Sequence, residues 1–131
     1  MSKLKLKLII LFLCMGASCQ TKTCKSLREG KFKVTTKETG TTFITRENNL
    51  QIEENADLKM NMVFDITWTS DCSYELRLKQ VIQGDSSIIH QGRVVKVQII
   101  GFRNNKYLAH TTSSFTDKTV DFEVEVLTRS D

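Results

Sequence analysis

The stretch that decides the fold is MNMVFDITWTSDCSYELRL, residues 60–78. Its apolar side chains fall on even-numbered positions, which are Met60, Met62, Phe64, Ile66, Trp68, Tyr74, Leu76 and Leu78. Polar or charged residues occupy most of the odd-numbered positions between them. A period of two is typical of a β-strand, because successive side chains of a strand point to opposite faces of the sheet. The stretch therefore predicts two half-buried strands joined by a turn at Ser70-Asp71.

The same alternation recurs on both sides of this stretch, in residues 95–99 and again in residues 120–126. Turn-forming residues separate the runs at seven places: Thr39-Gly40, Asn48-Asn49, 55–57, Ser70-Asp71, 84–87, Asn104-Asn105 and Thr116-Asp117. Short connections and strands with one apolar face are typical of antiparallel pairing. The sequence therefore predicts an all-β domain of about eight antiparallel strands in a meander, covering residues 30–131.

Strand length favours closure of this sheet. The runs 58–69 and 93–102 are long, and a long open edge strand promotes aggregation, which a barrel avoids. The chain contains no proline, a residue that edge strands tolerate and central strands do not. We therefore predict a small barrel, with a two-sheet β-sandwich as the alternative.

The beginning of the chain has the order of an export signal. Lys3, Lys5 and Lys7 precede the apolar run 8–15, and small residues at 16–18 lead to Cys19. The run is too short to span a membrane, which takes about 20 apolar residues. We predict a signal peptide over residues 1–18 and acylation of Cys19. Residues 19–29 then form a lipidated tether. We expect the protein to be exported to the bacterial cell envelope and anchored in the outer membrane.

Cysteine count and charge depend on that processing. If Cys19 is acylated, Cys24 and Cys72 remain as an even pair suited to one disulfide in an oxidising compartment; an ordinary signal peptidase would leave three cysteines and one unpaired. The signal also carries three of the chain's 19 basic residues and none of its 15 acidic ones. The remainder is almost neutral with interspersed signs, which argues against nucleic acid as a partner.

Two segments carry a resemblance to known proteins. CKSLREGKF (24–32) and WTSDCSY (68–74) resemble short Bacteroidetes-type envelope lipoproteins of uncharacterised function. That resemblance implies a disulfide between Cys24 and Cys72. Gly30-Lys-Phe32 is also similar to the Gly-x-Trp entry of lipocalins, with phenylalanine in place of tryptophan, and implies a lipocalin-like barrel.

Motifs for catalysis, metals or cofactors are missing from the sequence. His90 and His110 lie twenty residues apart without further ligands at zinc-binding spacing. No Gly-x-Ser-x-Gly elbow or glycine-rich phosphate loop is present. A carboxylate-based hydrolase would have to recruit Glu54 with Asp57 or Asp65 across strands, because adjacent Glu53 points to the opposite face. We therefore expect no catalytic site, no metal and no cofactor.

Four aromatic residues are the candidates for a ligand-facing wall: Phe64, Trp68, Tyr74 and Phe122. The alternative is that Trp68 and Tyr74 plug one end of the barrel. An eight-stranded barrel is wide enough either to be filled by side chains or to hold one small ligand. Two functions follow, a lipid-anchored, non-enzymatic module that binds an envelope partner, and a lipocalin-like carrier of a small apolar ligand.

Overall fold

A computed structural model of the chain describes residues 23–84, 92–114 and 116–130. The predicted signal peptide, Cys19 and His90 lie outside the described residues. Eight antiparallel strands pair in sequence order, and β1 also pairs with β8. The sheet is thereby closed, so the protein is a small lipocalin-like barrel and the two-sheet sandwich is excluded.

The strands follow one another in up-and-down order. They are β1 (Gly30–Thr36), β2 (Gly40–Glu47), β3 (Leu50–Asn55), β4 (Met60–Ser70), β5 (Ser73–Gln83), β6 (Val94–Arg103), β7 (Lys106–Ser113) and β8 (Thr116–Arg129). This direction puts the β2–β3, β4–β5 and β6–β7 turns at one end of the barrel, which we call the closed end. The turns at 37–39 and 56–59 lie at the opposite end, which we call the mouth. Strand β5 ends and β6 begins at the mouth as well; residues 85–91 lie outside the described residues.

The period of two places side chains as the sequence predicts on most strands. Met62, Ile66, Tyr74 and Leu76 are buried in the barrel, and Phe64 packs against this core. On β6 a bulge between Ile100 and Phe102 shifts the register, and Gly101 adopts a φ of 66° there. The bulge keeps Phe102 packed against the core although its position is out of phase with Ile99.

Strand β3 departs from that pattern, because its polar residues face inward. Gln51 and Asn55 are buried, and Glu53 lines the interior between them. The register explains this, since Arg46 pairs with Gln51 and Ile44 pairs with Glu53 across a two-residue turn. Directly opposed residues share a face of an antiparallel pair, so Gln51 and Glu53 follow Ile44 into the barrel.

The segment 23–29 closes one end of the barrel and does not hang from it as a tether. Residues 23–26 form one helical turn, and Leu27 behind it is 0% exposed. Cys24 and Cys72 form a disulfide with a Cα–Cα distance of 5.2 Å, which confirms the pairing that the resemblance implied. An apolar side chain and a covalent link therefore fasten residues that the sequence suggested were outside the fold.

Gly30 makes the entry from this segment into β1 possible. Its φ is +137°, which L side chains rarely adopt, and a Cβ at this position would overlap the backbone carbonyl oxygen of Thr128 on β8. The register between β1 and β8 shifts directly afterwards, at Lys31 and Phe32. Glycine therefore allows β1 to approach β8 and close the barrel.

Candidate functional site

The barrel encloses a cavity of about 360 Å³ that extends from mid-barrel to the mouth. Most of its wall is apolar and comes from β1, β2 and β4 to β8; these residues include Val34, Ile44, Met62, Phe64, Leu76, Val95, Val97, Ala109, Phe122 and Val124. Thr39 and Leu58, in the turns at the mouth, also line it. A polar stripe on β2 and β3 interrupts this surface, so the cavity is apolar on three sides and polar on the fourth.

The four aromatic residues singled out from sequence do not share one location. Phe64, Tyr74 and Phe122 line the cavity, and Trp68 is absent from its wall. Trp68 lies nearer the closed end, where its ring centroid is 4.8 Å from that of Tyr74. The guanidinium of Arg28 lies 4.9 Å from the Trp68 ring centroid. The segment 23–29 thus covers Trp68 at the closed end, outside the cavity wall.

A buried arginine forms the bottom of the cavity. Arg46 is 2% exposed, and its Nε donates to Oε1 of Gln51 at 2.9 Å. Its Nη2 donates to the hydroxyl oxygens of Tyr74 at 2.7 Å and Tyr107 at 2.8 Å. Nη1 donates to the carbonyl oxygen of Leu27 at 3.0 Å. We call Arg46, Gln51, Tyr74 and Tyr107 the Arg46 floor.

Aromatic rings support the guanidinium of Arg46. Its Cζ lies 4.4 Å from the ring centroid of Phe32 and 4.9 Å from that of Tyr74, distances typical of cation–π contacts. Burial by itself would lower the pKa of Arg46, but the neighbouring Tyr107, Tyr74 and Glu53 outweigh burial and raise it. The closed end therefore holds a permanent positive charge.

Glu53 is the carboxylate of the cavity wall. Its Oε1 accepts a hydrogen bond from Nε2 of Gln51 at 3.0 Å, so Gln51 links Arg46 to Glu53. Burial raises the pKa of Glu53 above its usual value, while the hydrogen bond from Gln51 and the charge of Arg46 act in the opposite direction. Burial likewise raises the pKa of Tyr74, which stays a neutral phenol.

The mouth is braced by Asn55, at the last position of β3. Its Nδ2 donates to the carbonyl oxygen of Thr39 at 2.8 Å and to Oγ1 of Thr42 at 3.0 Å. Its Oδ1 accepts from the backbone N–H of Leu58 at 3.0 Å. One side chain therefore connects the turns at 37–39 and 56–59 and holds the rim in place.

The carboxylates considered for hydrolysis are not brought together. Glu54, Asp57 and Asp65 are exposed, and Asp65 lies 3.8 Å from the ammonium of Lys79 on the outer surface. Glu54 pairs with Asn61, whereas Asp65 pairs with Leu50 at the other end of β3. Of the histidines, His110 forms a 2.6 Å contact from Nδ1 to Oδ1 of Asp121, on an outer surface away from the cavity.

The sequence interpretation missed the polar residues of the site: Arg46, Gln51, Glu53 and Asn55. Three of them, Gln51, Glu53 and Asn55, lie on β3, where polar residues alternate with Leu50 and Ile52. Such a pattern is most simply interpreted as a polar face that points outward. A signal was nevertheless present, because the Asn48-Asn49 turn places Gln51 opposite Arg46. Following the register through that turn would have put Gln51 and Glu53 on the same face as Ile44.

Comparisons with protein-family models, with curated proteins and with solved structures found no match to this chain. Within residues 23–84, 92–114 and 116–130, no helix has the length and apolar character needed to cross a membrane. The assignment of a function therefore depends on the geometry of the barrel and on the export pattern of the sequence.

Proposed function

We propose that this protein is an exported, lipid-anchored binding protein that holds one small, mainly apolar molecule inside its barrel. The observation that carries the proposal is the cavity of about 360 Å³ with its apolar wall. Ligand pockets have volumes of roughly 300 Å³ upward and are lined mostly by apolar side chains with a few polar groups. An eight-stranded barrel is wide enough for one small ligand.

The preformed ends of the cavity support this proposal. The hydrogen bonds of the Arg46 floor hold the bottom, and those of Asn55 hold the rim. Fixed polar groups keep the cavity open without a ligand. Binding therefore carries no free-energy cost for reopening a collapsed cavity, which favours affinity. Binding therefore requires little rearrangement of the described barrel.

The position of the anchor gives the proposal a direction. Cys19, the predicted acylation site, precedes Thr23 by four residues, which span at most about 14 Å when extended. Thr23 begins the segment that packs on the closed end, where Cys24 is bonded to Cys72. In the anchored protein the closed end would face the membrane and the mouth would point away from it, towards ligand in the aqueous phase.

Ligand uptake is tested with the neutral apolar fluorophore N-phenyl-1-naphthylamine. The full chain carrying Cys19→Ala is used, because it needs no detergent that would compete for the cavity. We expect saturable fluorescence enhancement, and we expect Ala109→Phe to abolish it, since the ring fills the cavity from β7. Leu108→Phe is the matched control, because Leu108 is exposed on the outer face. Equal binding by both variants would overturn the proposal.

The lipid anchor is tested by fractionation of cells that express the full chain. We expect wild type to sediment with membranes and Cys19→Ala to appear in the soluble fraction. Cys14→Ala is the control, since bulky Leu13 precedes that cysteine and makes it a poor acylation site. A Cys19→Ala protein that still sediments with membranes would contradict the anchor and leave ligand binding unaffected.

A further inference from the structure

We propose that the ligand carries a hydrogen-bond-donating head group, preferentially a protonated amine, that binds the carboxylate of Glu53. This inference rests on the proposed ligand-binding function and names the chemical class of the ligand. It follows from the contrast between two charged groups at the cavity, one with four hydrogen bonds to protein partners and one available to a ligand.

Arg46 is unsuited to receive an anionic ligand. A guanidinium has five N–H donors, and four of those of Arg46 are used by Gln51, Leu27, Tyr74 and Tyr107. The residue is also 2% exposed, so a carboxylate in the cavity could not form the two parallel hydrogen bonds that arginine offers when it binds acids. Arg46 is therefore a structural cation, and a fatty acid gains little from it.

Glu53 has the opposite character. Among the described residues, its carboxylate has one hydrogen bond, from Gln51 to Oε1, and no lysine or arginine forms an ion pair with it. Its side chain is part of the cavity wall, which leaves Oε2 to accept from a ligand. A carboxylate in apolar surroundings is costly unless it is paired, so a ligand cation removes a cost that the free protein carries.

The position of Glu53 determines where the polar end and the apolar end of the ligand would lie. Glu53 pairs with Ile44 on β2 and with Met62 on β4, about half-way along the barrel. Most of the remaining cavity wall is apolar, with Leu76, Val97 and Phe122 among its residues. A bound molecule can therefore direct one donor group towards β3 while its apolar body fills the rest of the cavity.

The proposal predicts a pH dependence. The titratable or charged groups near Glu53 are Arg46 on β2 and the phenol of Tyr74 on β5, and both keep their charge state near neutral pH. Because burial raises the pKa of Glu53, an amine binds more tightly as pH rises and the carboxylate ionises. Binding of a neutral alcohol changes less, because no charge pair forms.

The test compares three ligands with the same eight-carbon chain: octylamine, octan-1-ol and octanoate. Isothermal titration calorimetry at pH 8 uses the full chain with Cys19→Ala. We expect octylamine to bind about tenfold more tightly than octan-1-ol, as one charge-assisted hydrogen bond predicts, and octanoate to bind most weakly. Between pH 8 and pH 5 the affinity for octylamine should fall.

Two matched variants separate the role of Glu53 from general effects. Glu53→Gln should abolish the preference for octylamine while octan-1-ol binding stays within about threefold of wild type. Glu54→Gln makes the same change on the adjacent, outward-facing residue and should leave all three affinities unchanged; melting temperatures check that both variants fold.

The possible outcomes distinguish this inference from the function on which it rests. A preference for octylamine that survives in Glu53→Gln, or octanoate as the tightest ligand of wild type, would overturn the inference and leave apolar-ligand binding in place. Failure of all three ligands to bind wild type would overturn both.

Discussion

At the closed end of the barrel, Arg46 lies between aromatic rings with four hydrogen bonds to protein partners. Half-way to the mouth, Glu53 faces a cavity of about 360 Å³ with one protein hydrogen bond. Both are ionisable side chains inside one barrel, and they lie one inward-facing position apart along neighbouring strands, because Arg46 pairs with Gln51 and Glu53 is the next inward residue of β3. The closed half is packed around a guanidinium with four protein hydrogen bonds, whereas the mouth half is hollow and its Glu53 carboxylate has one.

This difference indicates that the two halves of the barrel have different roles. Buried polar groups that are fully hydrogen-bonded rigidify a core and specify its arrangement, while a partly satisfied group is costly and available for binding. Contacts in the closed half therefore stabilise the fold, and this stability offsets the free-energy cost of an open cavity in the mouth half. Substitutions in the two halves should consequently have different effects.

The largest effect is expected for Arg46→Ala. The substitution leaves two phenol hydroxyls, the Gln51 amide and the Leu27 carbonyl without their buried partner, and it opens a void between Phe32 and Tyr74. We expect the free energy of unfolding to fall by about 4–5 kcal/mol, measured by urea denaturation. Arg103→Ala, at an exposed position, is the control, and an equal loss there would contradict the comparison.

Removal of the disulfide should have the next largest effect. Cys24 and Cys72 are 48 residues apart, and opening a loop of that length returns conformational entropy to the unfolded chain. The double variant Cys24→Ala/Cys72→Ala should lose about 4 kcal/mol. Protease cleavage within 23–29 should also become faster, because only non-covalent contacts, such as those of buried Leu27, would then hold the segment. A stability unchanged in the double variant would show that the link does not support the closed end.

One pair of phenylalanines compares the two halves directly. Phe32 is 0% exposed in the closed half, and Phe122 lines the cavity. We expect Phe32→Ala to cost about 4 kcal/mol and Phe122→Ala about 2 kcal/mol, since a ring beside a cavity loses fewer contacts when it is removed. Equal losses in thermal unfolding would mean that the mouth half is as tightly packed as the closed half.

A single hydroxyl gives a finer test of the Arg46 floor. Tyr107→Phe removes one acceptor of Nη2 without changing the ring, and we expect a loss of about 1–2 kcal/mol. Thr111→Val removes a hydroxyl from the cavity wall and should cost less than about 0.5 kcal/mol. Double-mutant cycles of Tyr107→Phe with Arg46→Ala measure the coupling, and the absence of coupling would contradict the hydrogen-bond network.

The smallest effect concerns the pH dependence of stability. Because the pKa of Glu53 is raised by burial, the folded state binds its proton more tightly than the unfolded state. The free energy of unfolding should therefore decrease as pH rises from the ordinary glutamate range through the raised pKa. Glu53→Gln should remove that decrease and be slightly more stable than wild type at pH 8, whereas Glu54→Gln should keep it.

Much of the fold could be predicted from particular residues. The alternation in 60–78 gave the inward face of β4 and β5, and the turn residues Asn48-Asn49 and Asn104-Asn105 gave two hairpins in their observed places. The resemblance of the segments around Cys24 and Cys72 gave the disulfide. For Trp68 the sequence offered two positions, a plug at one end of the barrel and a ligand-facing wall, and parity could not decide between them, because it gives a side chain's face and not its depth along the barrel.

The inward polar residues were also beyond this approach. Alternation separates two faces of a strand without stating which one is inside, and on β3 a polar set faces inward because its neighbours on β2 impose the register. Arg46 is recognisable as a core residue only when Leu27, Tyr74 and Tyr107, which lie on three other segments, are brought around it.

The sequence by itself determined the period of two, the turns and the candidate export segment, because these depend on neighbours along the chain. The tertiary structure decided between the predicted barrel and its sandwich alternative, and it alone revealed that residues 23–29 seal one end and that Arg46 has four protein hydrogen bonds while Glu53 faces a cavity. Those properties arise from contacts between residues far apart in the sequence, and local periodicity carries no information about which distant strands meet.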